Sequence, residues 1–476
     1  MTNRGTMQVG ETDGFSRLAI AGHLEQGARG VILADIKPLA GKGDVLAVAG
    51  DARLDGKLLV AFDALTGGAE HRVLEVEGEV TGRFERVASN LFTFAQSVDA
   101  EGLVLRADRA RIAGRDGLGE AEIAAARYLE RLFVAGDESF GRFFGKLDAA
   151  AGAGALGPVL TGMTLGASLA GEAATFELAR DRFDALLGCD APGSRTVGDG
   201  QSCLRMLASS RSLEQDADGG AAGYQGEVQT TGLAAERRIS PQWSLSGAVG
   251  YERTNLGSGV GRGSVDGGAG FLGLAATREL GGFAFSAGAM LGYAEFDTDR
   301  VAGPFSPGAA KAEHSALSLG GRLRAAWTQD FGGGYLRPTL DLDLIHVSAE
   351  GYTETGARRQ SLRVAGSEAT ALVVTPSLEA GATQALDEGL GLRAWARVGA
   401  SLSSLDAYDA TARFATDLTG VTSFSNGVAT AQAVGRIGAG VSLLNGDTLD
   451  VGLRYEGAFA DGYSGHTGSI NIAVRF

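Results

Sequence analysis

The sequence predicts an all-β protein organised around a 12-stranded antiparallel transmembrane β-barrel. From Cys203 to the C-terminus, apolar and polar residues alternate with a period of two, as in strands that meet oil on one face and water on the other. The connections between these segments alternate between short turns and long polar loops, which is typical of outer-membrane barrels. No run of about 18 apolar residues that could form a transmembrane helix is present.

Composition excludes one class of function and favours one architecture. The net charge of −15 argues against nucleic-acid binding, which needs a basic face. The 75 glycines are dispersed and accompanied by only 8 prolines, which favours a glycine-tolerant β architecture over a disordered chain.

The twelve predicted strands and their connections carry the barrel prediction. Short turns are expected at 238–242, 279–282, 330–334, 386–390 and 444–447, and long loops at 297–314, 351–370 and 403–428. A soluble sandwich has no reason to sort its loops by length in this way. The predicted strands are 203–214, 224–238, 243–254, 264–279, 282–297, 313–330, 335–350, 367–386, 389–404, 428–444, 447–460 and 464–476.

The polar faces of these strands carry charges of both signs, which predicts a water-filled and ion-paired lumen rather than an apolar core. The residues predicted to face the lumen are Arg322, Arg324, Asp341, Asp343, Glu379, Arg393, Arg397, Arg436, Arg454, Glu456 and Arg475.

The last strand, GSINIAVRF, alternates down to its final residue. Its apolar face consists of Ile470, Ile472, Val474 and Phe476, which we expect to face lipid. Since a barrel in lipid leaves no open edge, this strand is expected to pair with the first.

Aromatic residues fall near the predicted strand ends, as in the girdles of membrane barrels. Trp395 is an exception, because the alternation places it in mid-strand on the lumen side. The predicted girdle residues are Trp243 and Tyr335 at the turn end and Tyr251, Tyr293, Tyr352 and Tyr463 at the loop end.

Residues 118–188 have helical composition, and their last stretch, LTGMTLGASLAGEAATFELARDRFDALLG, is polar on several sides. Such a helix suits a charged lumen, and about 20 residues would span roughly 30 Å. We therefore predict a pore helix, with an ordinary soluble linker as the alternative. The charged residues of the pore helix are Glu177, Arg180, Asp181, Arg182 and Asp184.

Residues 1–110 contain short alternating strands at close spacing, in stretches such as GDVLAVAGDARLDGKLLVAFDAL. This pattern favours either a β-solenoid or part of a β-sandwich. Because solenoid rungs need neighbours, we expect the domain to begin upstream of Met1. The start, MTNRGTMQVGETDG, has no basic and apolar regions of a secretory signal, so an exported protein would require residues before it.

Cys189 and Cys203 lie in the turn-rich stretch CDAPGSRTVGDGQSC. In an oxidising compartment a disulfide between them would close this loop and contribute about 3 kcal/mol. Two unrelated buried thiols are the alternative.

No catalytic or cofactor motif is found. The five histidines are scattered, and neither an HExxH pair, a G-x-S-x-G elbow nor a Walker loop occurs. Asp216, Asp218 and Glu227 have partial EF-hand spacing, but Ala221 replaces the glycine that the calcium loop requires. The sequence therefore predicts no enzyme activity, no metal site and no cofactor.

The stretches LTGMTLGASLAGEAATFELARDRF and LRYEGAFADGYSGHTGSINIAVRF resemble the helical segment and the closing strands of classical autotransporters, the type V secretion proteins of Gram-negative bacteria. GDARLDGKLLV and VEGEVTGRFERV resemble the last rungs of their right-handed parallel β-helical passenger. The resemblance implies three domains: the end of the passenger and its junction (1–115), a helical linker with the pore helix (116–200), and the outer-membrane translocator barrel (201–476).

The resemblance also implies a function and partners. The barrel would export its own N-terminal passenger to the cell surface and anchor it in the outer membrane, in contact with lipid and lipopolysaccharide. Periplasmic chaperones and the barrel-assembly machinery would insert it, the latter reading the terminal strand with Phe476. Passenger release by asparagine chemistry in the pore is not expected, because no asparagine occurs between Asn90 and Asn255.

Two other functions remain open on the sequence. One is a passive porin-like channel, against which the 118–188 helix argues because it would block the pore. The other is a surface-anchored adhesin whose binding region lies upstream.

Overall fold

The structure, a computed structural model, describes residues 1–10, 15–187, 202–218, 221–258, 263–306, 308–387, 389–421, 423–446 and 448–476. The chain forms two compact units. Unit 1 comprises Met1–Thr164, Ala302–Pro307 and Thr416–Phe424, and unit 2 comprises Leu165–Val301, Gly308–Ala415 and Ser425–Phe476.

Unit 1 begins with a three-faced parallel β-helix. Its faces are the parallel ladders β1–β4–β8–β11, β2–β5–β9–β12 and β3–β7–β10. The strands are β1 Thr2–Asn3, β2 Thr6–Val9, β3 Arg17–Ile20, β4 Leu24–Gln26, β5 Val31–Lys37, β6 Lys42–Gly43, β7 Val45–Val48, β8 Ala52–Leu54, β9 Lys57–Phe62, β10 Glu70–Val76, β11 Val80–Gly82, β12 Arg86–Ala88, β13 Phe92–Asp99 and β14 Gly102–Ala110.

Leu18, Leu46 and Leu74 stand in register on one ladder, so successive rungs of this ladder are 28 residues apart. Alternate residues point inward, as in β5, where Ile32, Ala34 and Ile36 are buried. The β-helix prediction is confirmed, and the sandwich alternative is wrong, because the rungs stack in parallel rather than as antiparallel hairpins.

The hairpin β13–β14 closes the end of the β-helix. β13 pairs antiparallel with β12, and β14 pairs antiparallel with β10, so the hairpin joins two faces of the last rung. A parallel stack has an exposed edge at its last rung, and the hairpin covers part of that edge.

In the described part of the chain four α-helices follow: α1 Glu120–Val134, α2 Gly141–Gly152, α3 Leu156–Thr161 and α4 Ala170–Leu186. Short 3₁₀ turns lie at Pro38–Ala40, Glu138–Phe140, Gly166–Leu169 and Arg358–Gln360. Helices α1 to α3 belong to unit 1 and α4 to unit 2. The predicted linker 116–200 is therefore divided between the units at Thr164.

No described helix is long and apolar enough to cross a membrane.

Twelve antiparallel strands close into a barrel in unit 2, as predicted. β20 and β21 both pair with β22 and together count as one strand of the wall. The barrel is closed because β20 pairs with β22 and the first strand, β15, pairs with the last, β31. The strands are β15 Ser202–Gln215, β16 Tyr224–Ser240, β17 Trp243–Gly257, β18 Gly263–Leu280, β19 Phe283–Val301, β20 Ala309–Trp327, β21 Gln329–Phe331, β22 Gly334–Ala349, β25 Ser367–Asp387, β26 Leu390–Ser403, β29 Ala433–Asn445, β30 Leu449–Ala460 and β31 Tyr463–Arg475.

The long loops contain a second sheet that the sequence did not predict. It consists of β23 Tyr352–Thr353, β24 Leu362–Val364, β27 Ala407–Phe414 and β28 Phe424–Ala429, in the order β23–β24–β27–β28. The prediction that the tenth barrel strand begins at 428 is wrong, because β28 takes those residues and the barrel strand begins at Ala433.

The aromatic girdle prediction is half right. Trp243, Tyr251 and Tyr293 are exposed on the outer face, whereas Tyr335, Tyr352 and Tyr463 are buried. For two of these buried tyrosines the reason is the hydroxyl group, which finds a partner on the lumen side. Tyr335 donates to Glu379 at 2.8 Å, and Tyr463 accepts from Arg211 at 3.3 Å.

Candidate functional site

The lumen of the barrel is occupied by α4, and the direction of this helix is fixed by its contacts. Near its start, Glu172 meets His314 of β20 at 2.7 Å, close to the long-loop end of that strand. Near its end, Asp184 meets Arg324 of β20 at 2.7 Å, close to the short-turn end. The helix therefore runs through the barrel from the long-loop end to the short-turn end.

Arg182 makes a deeply enclosed contact between helix and wall. Its guanidinium forms a two-point ion pair with Glu252 of β17, at 3.0 Å from Nε and 2.5 Å from Nη2, and donates to Ser318 at 3.0 Å. The side chains of Arg182 and Glu252 are almost fully buried. A pair of this geometry holds α4 at one rotation and depth, because displacement would leave two charges buried without partners.

Asp184 lies at the centre of a second cluster. It accepts from Arg322 at 2.8 Å and from Arg324 at 2.7 Å. Each of these arginines also donates two hydrogen bonds to a neighbouring carboxylate in the wall, Arg322 to Asp343 and Arg324 to Asp341. The helix carboxylate thus completes an arrangement of alternating charges that spans β20 and β22.

The opposite side of α4 makes the remaining contacts. Glu177 accepts from Arg436 at 2.7 Å and lies 3.5 Å from Arg211. Asp181 pairs with Arg211, and Arg180 donates to Ser401 and lies 4.0 Å from Asp343. All five charged residues predicted on the pore helix therefore have partners on the barrel wall.

The other predicted lumen residues lie within the wall network. Arg397 and Arg454 both approach Glu456, Arg393 and Arg475 both approach Asp450, and Glu379 accepts from Tyr335. Trp395 is buried beside them, with the guanidinium of Arg454 at 5.3 Å from its ring. The lumen position of this tryptophan is explained by that stacking.

Small residues on the wall make room for the helix. A Cβ atom at Gly320 would lie 2.9 Å from the ring of Phe183, and one at Gly292 would lie 2.7 Å from Nη1 of Arg182. Only glycine permits these side chains of α4 to touch the wall.

Four partners in the lumen were not predicted from the sequence: Glu252, Arg211, His314 and Glu172. Strand parity could have found the first, because Glu252 lies on the face of β17 opposite to the lipid-facing Val249 and Tyr251. The helix residue Glu172 carries no such signal, since its partner depends on how deep α4 sits.

The predicted assembly signal lies on the outside of the barrel. Ile470, Ile472, Val474 and Phe476 are exposed, and Phe476 exchanges two backbone hydrogen bonds with Ser202 of the first strand. Cys203 is buried and disulfide-bonded. Cys189 lies outside the described residues, so the predicted pairing of the two stays a prediction.

Among the described residues, no group of three or more histidine, cysteine, aspartate or glutamate side chains could hold a metal ion. The charged side chains of the lumen instead form ion pairs that hold the helix against the barrel wall.

The described residues thus form a transmembrane-type barrel with an internal helix, which is one class of outer-membrane protein. The family profile described as "Autotransporter beta-domain" matches residues 204–456. A search of curated proteins finds no match.

Solved structures of autotransporter domains are similar to this chain. The translocator domain of the autotransporter NalP from Neisseria meningitidis has a TM-score of 0.50 at 14% identity and covers 64% of this chain and 98% of its own. The β-domain of the Bordetella autotransporter BrkA has a TM-score of 0.42 at 16% identity and covers 58% and 100%. The transport unit of AIDA-I from Escherichia coli has a TM-score of 0.36 at 10% identity and covers 63% and 97%.

The chain belongs to the autotransporter family, because the family profile covers more than half of it. Its barrel is an outer-membrane translocator domain, which serves the export of the chain's own passenger.

Proposed function

We propose that, once export is complete, the chain still passes through its own barrel. Residues 1–164 then lie on the cell surface, and α4 stays in the lumen as an anchor. Residues 1–115 are then the end of the passenger and its junction, and the barrel from 201 holds it in the outer membrane. In this arrangement the protein is an export and anchoring module rather than an enzyme.

The direction of α4 carries this proposal. The N-terminal end of α4 lies at the long-loop end of the lumen, since Glu172 contacts that end of β20 and Asp184 contacts the other. In outer-membrane barrels the long loops face the exterior and the short turns face the periplasm.

The β-helix supplies a driving force for export in the absence of nucleotide. Each rung buries a row of apolar residues, such as Ile32, Leu58 and Val60, only once its neighbour has formed. Rungs that fold outside cannot return through the lumen, so folding pulls the following chain outward. Chains in which residues 45–62 are scrambled should therefore stall during export, and normal surface delivery of such a chain would contradict this step.

Insertion is assigned to periplasmic chaperones and the barrel-assembly machinery, which would read the exposed apolar row that ends in Phe476. The exposure of Ile470, Ile472 and Val474 on the closing strand supports this assignment. Replacing Phe476 with Ser should lower the amount of folded barrel in the outer membrane, whereas replacing the half-buried Ser464, near the start of the same strand, with Ala should leave it unchanged.

Protease shaving of intact cells tests the proposal. The chain is expressed with a signal peptide and an epitope tag before Met1, and external protease is added. We expect loss of the tag and survival of a barrel fragment that includes α4. An intact tag on a barrel that is present in the outer membrane would place residues 1–164 in the periplasm and favour the channel alternative instead.

A further inference from the structure

The sheet β23–β24–β27–β28 continues the barrel wall beyond the ends of β22 and β25. Its inner face points to the lumen, because Tyr352 stacks on His314 at 4.6 Å and Tyr408 approaches Phe176 of α4 at 6.2 Å. Leu362 and Val364 are buried on the same face. Since neighbouring residues of a strand point to opposite faces, the residues between them point away from the barrel axis.

Two arginines lie directly opposite each other on this outer face. Arg363 of β24 is in register with Arg413 of β27, and Thr353 of β23 is the next residue in the same row. Side chains at directly opposite positions have Cβ atoms about 5 Å apart, and like charges there repel each other. Arg363 is exposed and Arg413 is half-buried.

These arginines differ from those of the lumen. Arg182, Arg322 and Arg324 are each paired with one or more carboxylates, whereas neither Arg363 nor Arg413 forms an ion pair with a described residue. The only described polar side-chain contact of Arg363 is to the hydroxyl of Thr353 at 3.4 Å. Arg358, which opens the 3₁₀ turn before β24, adds a third exposed cation on the same loop.

The location of the pair indicates the source of its counter-ion. The outward apolar rows of β22 and β25 end at Leu344 and Leu372, which are exposed to lipid. His346 and Thr370 follow them and bond to each other at 2.9 Å, and the arginine row lies farther along the same wall. In the proposed orientation, this position beyond the apolar rows faces the anionic head groups of the outer leaflet, which attract exposed cations.

We infer that Arg363 and Arg413 form a clamp for a phosphate group of lipopolysaccharide in the outer leaflet. Two arginines at directly opposite positions can turn their guanidinium groups towards one phosphate and each donate charge-assisted hydrogen bonds to it, which removes the repulsion between them. The inference rests on the proposed orientation, because it requires the long-loop end of the barrel to face the outer leaflet.

The test uses the purified full chain in detergent and counts bound lipopolysaccharide by native mass spectrometry. R363Q/R413Q is compared with wild type and with R253Q. Arg253 is a matched control, since it is an exposed outward arginine near the loop end of β17 whose opposite residue is Gln229 rather than another arginine. Heat-modifiable migration in gels verifies that each variant is folded.

We expect the double variant to bind phosphorylated lipopolysaccharide about tenfold more weakly than wild type, and R253Q to bind within about twofold of wild type, because charge-assisted hydrogen bonds to phosphate are lost only in the double variant. Lipopolysaccharide treated with phosphatase should bind all three proteins equally weakly. The salt dependence of binding should be less steep in the double variant.

Three results would overturn the inference. The first is that wild type and double variant bind lipopolysaccharide with equal affinity. The second is that wild type binds phosphatase-treated and untreated lipopolysaccharide equally well. The third is that millimolar inorganic phosphate saturates the site and leaves lipopolysaccharide binding unaffected. Binding is measured on purified protein and does not depend on export. A failure here is therefore distinguishable from a failure of the shaving assay, which reports orientation alone.

Discussion

At the scale of single residues, the pairing of Arg182 with Glu252 is one of the buried contacts that hold the pore helix in position. Both groups are almost fully removed from water, and the pair is joined by two hydrogen bonds. Burial makes the desolvation of each charge expensive, so the pair contributes less to stability than to the choice of one arrangement over others.

Breaking this pair should be costly. We expect E252Q to lower the free energy of unfolding in lipid vesicles by about 3–5 kcal/mol, because the arginine charge stays buried without its partner. Urea unfolding followed by tryptophan fluorescence measures it. The matched control is D299N, which breaks the exposed pair of Lys311 and Asp299 and should cost about 1 kcal/mol or less. If E252Q and D299N lowered the free energy of unfolding equally, the buried pair would not hold α4 in the way described.

A second residue-scale prediction concerns pH and the β-helix. Two hydrogen bonds from Arg72, at 2.6 and 2.7 Å, hold the pKa of Asp99 well below its ordinary value near 4. The stabilisation is therefore fully present above pH 4 and is lost as the pH falls further, toward the lower pKa of the folded state.

Comparing wild type with D99N should show this dependence. The variant should melt at a lower temperature than wild type at pH 7, and the difference should shrink as the pH is lowered from 4 to 2. Circular dichroism of the N-terminal unit within the full chain would measure it. A difference in melting temperature that stays constant across this range would contradict the assignment.

At the scale of elements, α4 fits the barrel because its partner strands carry glycine where the helix touches them. Gly320 faces Phe183, whereas a Cβ atom at the neighbouring Gly321 would have no other atom within 4 Å and would point outward. The two adjacent glycines therefore provide a direct comparison between the inner and outer faces of one strand.

We expect G320L to displace the helix from the lumen and to raise the ion conductance of the purified protein in planar bilayers, because the added side chain occupies the space of the Phe183 ring. G321L should leave the conductance at the wild-type level. If G320L conducts no more than G321L, the packing of α4 against β20 does not close the pore.

The helix α2 is tied to the end of the β-helix by Asp148. This buried carboxylate accepts from the backbone of Leu91 and the hydroxyl of Ser89, both at 2.7 Å, and so fixes the turn that leads into β13. Replacing Asp148 with Ala should destabilise unit 1 by about 1–3 kcal/mol, because a buried N–H group loses its acceptor.

Limited proteolysis followed by identification of cleavage sites would measure this loss. We expect faster cleavage within residues 86–115 in D148A than in wild type. The exposed Asp116 provides a control, since D116A removes a carboxylate from the same region with no described side-chain partner. Cleavage at equal rates in both variants would contradict the role of Asp148 in stabilising the turn that leads into β13.

The elements differ in how far the sequence determines them. The twelve barrel strands are predicted to within a few residues, because lipid enforces the period-two pattern along their whole length. The sheet β23–β24–β27–β28 was missed, since its strands are short and lie in loops where no lipid imposes that pattern. Tyr335 was placed on the wrong face because a tyrosine fits either a membrane surface or a polar lumen.

The residues of the lumen divide in the same way. Charges on the strands, such as Arg322 and Asp343, follow from alternation alone. Their partners across the lumen, such as Arg182 for Glu252, depend on the depth and rotation of α4, which no local pattern encodes. Helices α1 to α3 and α4 share one helical composition, so no change of composition marks the boundary of the two units at Thr164.

At the scale of the whole molecule, one chain contains two units that are stabilised in different ways. The barrel is stabilised by lipid outside and by paired charges inside, whereas the β-helix is stabilised by stacked apolar rungs in water. In the proposed function the direction of α4 connects the two, since it sets the side of the membrane on which we expect the β-helix.

The most direct test of this direction is labelling of intact cells with a membrane-impermeant maleimide. Single cysteines are introduced as R29C, in an exposed turn of the β-helix, and as Q242C, in the short turn between β16 and β17. From the proposed orientation we expect R29C to be labelled on intact cells and Q242C to be labelled only after the outer membrane is permeabilised. Labelling of Q242C but not R29C on intact cells would contradict the account.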